Sequence, residues 1–374
     1  MKQYQKYIIG FLSLALVVLF VINFSHIIAW ILIAALVALI GGPIVILLEK
    51  LNIRGFRLPR WAAALLTIIF LWAAIIGFFR TTVPLISKQL SEFQNINVEA
   101  ISEGLYGPIA TLDNFVQSVP IFNEPSFSTE EYVVESLSSF VSLGKISEKF
   151  INLYSLIWNL VISAFAVTFI SFFFLKDRSL FDKGVLALIP QKFEERVKHV
   201  LISVRNLISR YLIGIILQSL SMMVIYTTGF TIIGLDFNLA VLIGVVAGIL
   251  NVIPYVGPWI GASVAFLLIT VDNIQADFYA TTFPILLKMV GVVVTAQTID
   301  NIFFYPYIFS KSVKAHPLEI FLLILIAGSL YGVLGMMLAI PTYTVLRVIA
   351  KEFFNQYKFV REITQNIKPP LKNE

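Results

Sequence analysis

The stretch Asn251–Gly261, N-V-I-P-Y-V-G-P-W-I-G, separates two apolar runs, Leu239–Leu250 and Trp259–Ile269. Each run would form roughly 18 Å of helix, whereas the hydrocarbon core of a bilayer is about 30 Å thick, so neither run can cross alone. A broken helix frees backbone groups that lipid cannot satisfy, and such breaks persist only inside protein or beside a water-filled cavity. The stretch therefore predicts a buried or water-lined site. An ordinary loop between two short helices is the alternative.

The composition of the chain defines its class. Of the 374 residues 58% are hydrophobic and 13% charged, and the mean hydropathy is +0.89. That is more apolar surface than one soluble core can hide, so we expect an all-α polytopic membrane protein in contact with the lipid bilayer. The net charge of +5 does not indicate nucleic-acid binding, because the basic residues lie in loops beside apolar runs, where they set orientation.

Three spans are predicted within residues 1–79. The first is roughly Tyr7–Phe24, the second ends near Leu48, and the third is Trp61–Phe79. The loop between the second and third carries one acid, Glu49, and four basic residues: Lys50, Arg54, Arg57 and Arg60. The positive-inside rule then places this loop and the N-terminus in the cytoplasm.

Residues 80–152 are predicted to form a small helical extracytoplasmic insert, because residues 80–150 carry nine acidic and four basic residues. Its expected role is packing or oligomer contact, with a substrate-capturing lid as the alternative. Residues 153–210 are predicted to hold a fourth span, Tyr154–Leu175, and then an amphipathic segment on the cytoplasmic membrane surface. Residues 176–210 contain eight basic and four acidic residues.

Residues 211–346 are predicted to form a transport core. The fifth span is about Leu212–Leu235 and the sixth is Thr282–Phe309. The acidic residues that flank Leu239–Ile269 lack basic neighbours, so both of its ends are placed outside and the broken stretch becomes a re-entrant hairpin. The flanking acids are Asp236, Asp272 and Asp277.

A second re-entrant hairpin is predicted in the apolar run Leu318–Leu346. Both of its ends look cytoplasmic, and Gly328, Gly332 and Gly335 interrupt its middle. A single tilted span with an external tail is the alternative. With the hairpin, residues 347–374 are a cytoplasmic tail and the chain has about six transmembrane helices and two re-entrant hairpins.

A weak internal repeat supports the pairing of the two hairpins. Ala247–Leu250 reads A-G-I-L and Ala327–Leu330 reads A-G-S-L, and Gln218 and Gln297 each lie in the span before a hairpin. Two such units entering from opposite faces are what an inverted repeat requires, and transporters built this way place their site near the membrane midplane.

Asp300 is the leading candidate site residue because an ionisable side chain inside an apolar span is costly and usually functional. It could alternately take up a proton or a cation, and an interfacial acid paired with Lys311 is the alternative. Four polar residues could complete the pocket or merely form helix-to-helix hydrogen bonds and caps: Asn251, Gln218, Gln297 and Asn301. The expected gate residues are Pro254, Tyr255, Gly257, Pro258 and Gly261 with Gly328, Gly332 and Gly335.

No motif for catalysis or nucleotide binding occurs, which argues for gradient-driven transport and against an enzyme or a self-powered pump. His316 and Glu319 have the spacing of a metal pair but no second ligand set accompanies them, so neither a metal nor a cofactor is expected.

The chain resembles the AI-2E family of bacterial transporters. The resemblance rests on Ile253–Pro258, I-P-Y-V-G-P, followed by Gly261, and on a late series in the family's order: Asp300, Pro306, Val313, His316-Pro317-Leu318, Gly328, Gly332, Gly335 and Ala339-Ile340-Pro341. One departure is Ile215 after Gly214, where the family usually has Gln. Gln218 lies one turn later.

The resemblance implies export of a small hydrophilic molecule such as autoinducer-2 or, for some members, sodium(lithium)/proton exchange. It also implies a homo-oligomer in the bacterial cytoplasmic membrane. Two functions are therefore open: a secondary transporter with alternating access around opposed hairpins, and a non-transporting membrane scaffold that uses residues 80–150 to bind a partner.

Overall fold

The computed structural model describes residues 19, 22–53, 56–94, 153–273, 276–304, 306 and 316–364. Most of the predicted first span, the predicted insert from residue 95 onward, the end of the sixth span and the last ten residues lie outside the described residues. The chain divides into two compact units. Unit 1 comprises Met1–Ile75, Asn152–Ser209 and Pro369–Glu374, and unit 2 comprises Ile76–Ile151 and Arg210–Lys368.

Unit 1 is built on apolar helices that pack through small residues. Its elements are α1 (Ser25–Lys50), strands β1 (Asn52–Ile53) and β2 (Phe56–Arg57), the start of α2 (Arg60–Gln94), α3 (Leu153–Lys176), α4 (Leu180–Ala187), the 3₁₀ turn Gln191–Phe193 and the start of α5 (Glu194–Ile232). The two strands form an antiparallel hairpin. A Cβ on Gly41 would lie 3.0 Å from Thr67 Cγ2 and 3.3 Å from Leu175 Cδ2, so α1 contacts α2 and α3 closely at this glycine.

The chain bends by 98° between Leu160–Lys176 and Leu180–Ala187. Asp177 forms the corner, since its Oδ1 accepts hydrogen bonds from the Ser179 hydroxyl at 2.7 Å and the Ser179 N–H at 2.9 Å. These two bonds, the side-chain one first, lower the pKa of Asp177. The corner therefore ends α3 and starts α4 without leaving the turn's polar groups unsatisfied.

Helices α2 and α5 are longer than the sequence predicted. Helix α2 continues to Gln94, past the predicted span end at Phe79, and α5 is one helix of 39 residues through the predicted boundary at residue 210. The predicted boundaries at residues 79 and 210 rest on counts of charged residues. Such counts indicate which side of the membrane a segment lies on, and a helix does not have to end where its residues become polar. Helix α5 ends at Ile232. Gly234, two residues later, has φ +100°, and the Leu235 N–H bonds the Phe230 carbonyl at 3.2 Å.

The first hairpin of unit 2 consists of α6 (Phe237–Leu250), a turn, and α7 (Val256–Asp272). A Cβ on Gly257 would lie 1.9 Å from the Leu250 carbonyl oxygen, and one on Gly261 would lie 3.2 Å from Ala247 Cα. Glycine at position 257 is thus required for the two helices to approach this closely, and Gly261 adds a second tight contact. Side chains from α5 and α8 complete the surrounding core, including Met222, Phe230 and Met289.

The remaining elements of unit 2 are a π-helical turn (Phe278–Thr282), α8 (Phe283–Ile299), a second π-helical turn (Asp300–Phe304), α9 (Pro317–Phe354) and α10 (Lys358–Thr364). Helix α9 breaks at Tyr331 (φ −134°, ψ 15°) and Gly332 (φ 60°, ψ −144°). The positive φ of Gly332 is a conformation that glycine adopts at little cost.

The two arms of α9 lie against each other. The Tyr343 hydroxyl donates to Glu319 Oε2 at 2.8 Å although 24 positions separate the residues, a separation that spans about 36 Å in a straight helix. A Cβ on Gly335 would lie 2.1 Å from the Ala327 carbonyl oxygen. We call these arms, before and after the break, the second hairpin.

The architecture is that of an all-α polytopic membrane protein, as the composition predicted. In the described part of the chain, five helical segments are long and apolar enough to cross a bilayer, or six if the bent α3–α4 pair counts as one: Ser25–Lys50, Arg60–Gln89, Gln191–Ile232, Phe278–Phe304 and Leu318–Phe354. The first arm of Leu318–Phe354 ends at the break after about 20 Å, so this segment is long without being straight. Large apolar side chains such as Phe70 and Leu287 are exposed, which suits a lipid-facing surface.

Candidate functional site: the Asp300 cluster

Asp300, Gln218 and Asn251 come together inside unit 2. The Gln218 Nε2 donates to Asp300 Oδ1 at 2.7 Å, and the Asn251 Nδ2 contacts Asp300 Oδ2 at 3.4 Å. All three residues are buried, each exposing 5% or less. The sequence singled out these three residues separately, and the structure places them in one polar cluster.

Each member of the cluster is held by a different element. Asp300 begins the π-helical turn at the end of α8, and π turns are frequent at functional sites. Asn251 caps α6, and its backbone N–H bonds the Ala247 carbonyl at 3.0 Å. Gln218 lies on the buried face of α5, which also carries Ile215 and Met222. A change in any one of these elements would alter the polar surroundings of the carboxylate.

The carboxylate of Asp300 is held by neutral donors. Its contacts are the two side-chain amides, and within the described ranges no basic side chain forms an ion pair with it. Lys311, the partner considered from the sequence, lies outside the described residues. Neutral donors leave the negative charge of the site uncompensated, so a proton or a cation can bind there.

The turn of the first hairpin is strained beside the cluster. The Val256 N–H donates to the Pro254 carbonyl at 2.8 Å, and Tyr255 between them has φ 65° and ψ −45°. These values describe a γ-turn of the rare form, which is unfavourable for a residue with a Cβ. Strain of this kind is concentrated at functional sites. Pro254 is buried and Pro258 partly buried.

The turn of the first hairpin also contacts the second hairpin. The Tyr255 ring packs edge-on against Phe321, with 6.1 Å between the ring centroids. Ile253 shares a core cluster with Ile320 and Ile340, one from each arm of the second hairpin. The ring contact therefore joins the first hairpin's turn to the beginning of the second hairpin, whereas the sequence had paired it with the glycines at Gly328–Gly335.

The other two predicted lining residues have different surroundings. Gln297 donates from its Nε2 to the Tyr226 hydroxyl at 2.9 Å, which joins α8 to α5. Asn301 is exposed although it follows Asp300 directly. The helix-to-helix role considered for these amides thus fits Gln297.

Glycines of the second hairpin allow its arms to meet. A Cβ on Gly328 would lie 2.4 Å from Met336 Cε, and Gly335 faces the backbone of the opposite arm. Gly332 provides the positive φ of the break. These contacts give all three residues a structural role in the turn.

Several polar contacts of unit 2 were not predicted from the sequence. Tyr226 lies two turns after Gln218 on α5, and a helical count from Gln218 would have found it. Ser219 is buried, and its hydroxyl has no hydrogen-bond partner in the described structure. Tyr343 bonds Glu319, and nothing local in the sequence predicts that pair. His316 caps α9, with its Nδ1 accepting from the Leu318 N–H at 3.3 Å.

A hairpin whose turn contacts a buried acid, together with a second helix broken near its middle, is typical of membrane transport proteins when it occurs in a chain of apolar helices. The sequence matches the family described as AI-2E family transporter over residues 9–355, and the chain belongs to this family. This confirms the resemblance seen in the motifs.

Curated relatives carry transport names. The chain is 27% identical over 358 residues to "Putative transport protein YueF" of Bacillus subtilis (strain 168), covering 94% of this chain and 91% of that protein. It is 27% identical over 301 residues to "Putative transport protein YrrI" of the same organism, covering 80% of each. A match of 26% identity over 203 residues to "Putative permease PerM" of Escherichia coli (strain K12) covers 53% of this chain and 54% of that protein.

Proposed function

We propose that this protein is a gradient-driven secondary transporter in which Asp300 binds and releases the coupling proton or cation. The cargo is a small hydrophilic solute of the autoinducer-2 type, exported against the ion, or the protein exchanges a cation for protons. The observation that carries the proposal is the Asp300 carboxylate, buried between two neutral amides in a membrane-spanning segment.

The chemistry of the cluster supports reversible ion binding. A carboxylate already neutralised by Lys or Arg would have little need of a further cation, whereas Gln218 and Asn251 leave the charge in place. Both amides also carry a carbonyl oxygen, and amide and carboxylate oxygens are ligands for hard cations. Loading and unloading Asp300 would change the hydrogen bonding of α5 and the first hairpin together.

The two hairpins supply elements that can open on alternate sides. We propose that the first hairpin enters the bilayer from outside and the second from inside, in a bacterial cytoplasmic membrane with both termini in the cytoplasm. The ring contact between Tyr255 and Phe321 would transmit a change at one hairpin to the other. A homo-oligomer, expected from the family resemblance, would keep the other helices fixed while the hairpins move.

Flux in proteoliposomes tests the proposal. The purified chain is reconstituted, and uptake or release is followed under imposed proton, sodium and lithium gradients with a panel of small hydrophilic solutes. We expect a gradient-dependent flux that Asp300→Asn abolishes, because an amide can neither take up a proton nor hold the charge that attracts a cation.

The matched control is Asn301→Ala, since Asn301 is exposed and adjacent to Asp300. It should keep at least half of the wild-type flux. Both variants should elute and unfold like the wild type. Ion coupling that is unchanged in a folded Asp300→Asn protein would overturn the assignment.

A further inference from the structure

Three arginines converge in unit 1 where α3 meets α4. The Arg60 Nε donates to the Leu175 carbonyl at 3.2 Å, at the end of α3. The Arg205 Nη2 donates to the carbonyl of Arg178 at 3.3 Å, in the turn between α3 and α4. These two hydrogen bonds bring the guanidinium groups of Arg60 and Arg205 to the backbone of the corner that contains Arg178.

Two of these arginines have carboxylate partners and the third has none in the described structure. Arg60 Nε lies 3.7 Å from Glu49 Oε1, and Arg205 forms a salt bridge with Asp182. Arg178 is exposed and no carboxylate among the described residues pairs with it. Burial of part of the side chain, followed by the charge of Arg60, lowers the pKa of Arg178, and the charge of Glu49 acts in the opposite direction.

The whole corner has an excess of positive charge. Its ionised groups include three acids, Glu49, Asp177 and Asp182, and five basic residues, Arg60, Lys176, Arg178, Lys183 and Arg205. Asp177 is engaged by Ser179 and does not pair with Arg178. The corner thus has two more basic than acidic groups in this set, and Arg178 is the exposed arginine that no described carboxylate pairs with.

The geometry places this charge at the level of lipid phosphates. Helix α3 is apolar, and α4 runs at 98° to it, so α4 lies along the bilayer surface when α3 crosses the bilayer. Leu188, after α4, is 84% exposed, and Leu180 at its start is 40% exposed, as expected for side chains that enter the acyl region. The arginines lie at the corner between the two helices.

We propose that the Arg60–Arg178–Arg205 cluster binds the phosphate of an anionic phospholipid, with Arg178 as its direct contact. Guanidinium groups bind phosphate oxygens with two parallel hydrogen bonds, and they are less strongly hydrated than ammonium groups. The exposed leucines hold the acyl chains, so the ligand is a lipid and not free phosphate. Binding there fixes the corner that joins α3 to α4.

Trp61, which follows Arg60 and is 54% exposed, reports on lipid at this corner. The experiment uses the full chain with its other four tryptophans replaced by Phe, reconstituted in phosphatidylcholine with a minor fraction of acyl-brominated lipid. Brominated phosphatidylglycerol should quench Trp61 more than brominated phosphatidylcholine does, because the anionic lipid is enriched at the cluster. In Arg178→Gln the preference should fall about fivefold, the equivalent of roughly 1 kcal/mol for one surface arginine.

Two variants and one competitor make the result decisive. Arg178→Lys should keep only part of the preference, because it retains the charge but loses the paired guanidinium hydrogen bonds. Arg196→Gln, at an exposed arginine near the start of α5, should keep all of it. Excess glycerol 3-phosphate should not reverse the quenching. Equal quenching by both lipids, an unchanged preference in Arg178→Gln, or reversal by glycerol 3-phosphate would overturn the proposal.

If the single-tryptophan protein fails to fold, the native-tryptophan chain in neutral detergent answers the same question. Phosphatidylglycerol should raise its unfolding temperature more than phosphatidylcholine does. That difference should disappear in Arg178→Gln and persist in Arg196→Gln, and the opposite pattern would overturn the proposal.

Discussion

Gln218 Nε2 and Asp300 Oδ1 are 2.7 Å apart across 82 positions of the sequence, and both residues are buried. Asn251 reaches the other carboxylate oxygen at 3.4 Å. A hydrogen bond of 2.7 Å is short for an amide donor, whereas 3.4 Å is at the limit of what such a bond allows. The two amides therefore hold Asp300 unequally, with α5 as the stronger support.

The difference in strength between the two hydrogen bonds to Asp300 can be measured with double-mutant cycles. The pair Gln218→Leu and Asp300→Leu should show a coupling free energy of about 1–2 kcal/mol, and the pair Asn251→Leu and Asp300→Leu less than half of that, because charged hydrogen bonds weaken with distance. The measurement is the free energy of unfolding in mixed micelles. A larger coupling for Asn251 would contradict the geometry.

The close approach of the first hairpin's helices should make Gly257 intolerant of any side chain. A Cβ there would meet the Leu250 carbonyl oxygen at 1.9 Å, and backbone cannot move aside cheaply. We expect Gly257→Ala to lower the free energy of unfolding by about 1–3 kcal/mol. Gly291→Ala is the matched control, because a Cβ at Gly291 meets nothing within 4 Å and helix propensity favours Ala. Equal unfolding midpoints for the two variants would show that the hairpin is looser than described.

The strained backbone at Tyr255 should be visible by comparing two small replacements. Tyr255→Ala and Tyr255→Gly both remove the ring that packs on Phe321, but only Gly tolerates φ 65° without strain. We expect the Gly variant to be more stable than the Ala variant by about 1 kcal/mol, measured as the difference in thermal or denaturant midpoints. An Ala variant at least as stable as the Gly variant would mean that residue 255 does not have a positive φ.

The first hairpin was predictable because its signals are local. Pro254 lies in the turn and Pro258 in the first turn of the next helix, where proline is tolerated. The helices that flank the turn, Phe237–Leu250 and Val256–Asp272, match the predicted runs to within a few residues. The charge counts predicted helix boundaries less well, because the basic residues that precede position 211 do not interrupt α5. Positive charge indicates the side of the membrane and leaves the helix limits open.

The candidate site was only partly predictable for a related reason. Polar residues inside apolar runs stand out, so Asp300, Gln218 and Asn251 could be named one by one. Their assembly depends on tertiary packing, which no spacing along the chain encodes. Tyr226 and Tyr343 were missed because tyrosines in apolar helices usually lie in cores or at membrane interfaces, and their hydrogen bonds to Gln297 and Glu319 are apparent only in the folded chain.

The hydrogen bond from Tyr343 to Glu319 should hold the arms of the second hairpin together. In a cycle of Tyr343→Phe and Glu319→Ala, we expect a coupling of about 0.5–1.5 kcal/mol, the range found for hydrogen bonds between membrane helices. The Arg347 guanidinium lies 5.4 Å from the centroid of the Tyr343 ring. Tyr343→Phe keeps that ring, so on this side the cycle removes only the hydroxyl. Zero coupling would mean that the arms separate at this level.

Cysteine labelling should locate the turns of both hairpins, and the absence of native Cys makes single-cysteine variants unambiguous. We expect a membrane-impermeant thiol reagent to reach Val256→Cys from outside and Tyr331→Cys from inside, because two hairpins that enter from opposite faces expose their turns to opposite aqueous pathways. Labelling of oriented vesicles before and after permeabilisation measures this. Protection of both positions from both sides would favour hairpins that serve only as packing, as in a scaffold protein. Reaction of Tyr331→Cys only from outside would instead give the second hairpin the opposite orientation, and the positive-inside assignment of the chain's C-terminal part would then be wrong.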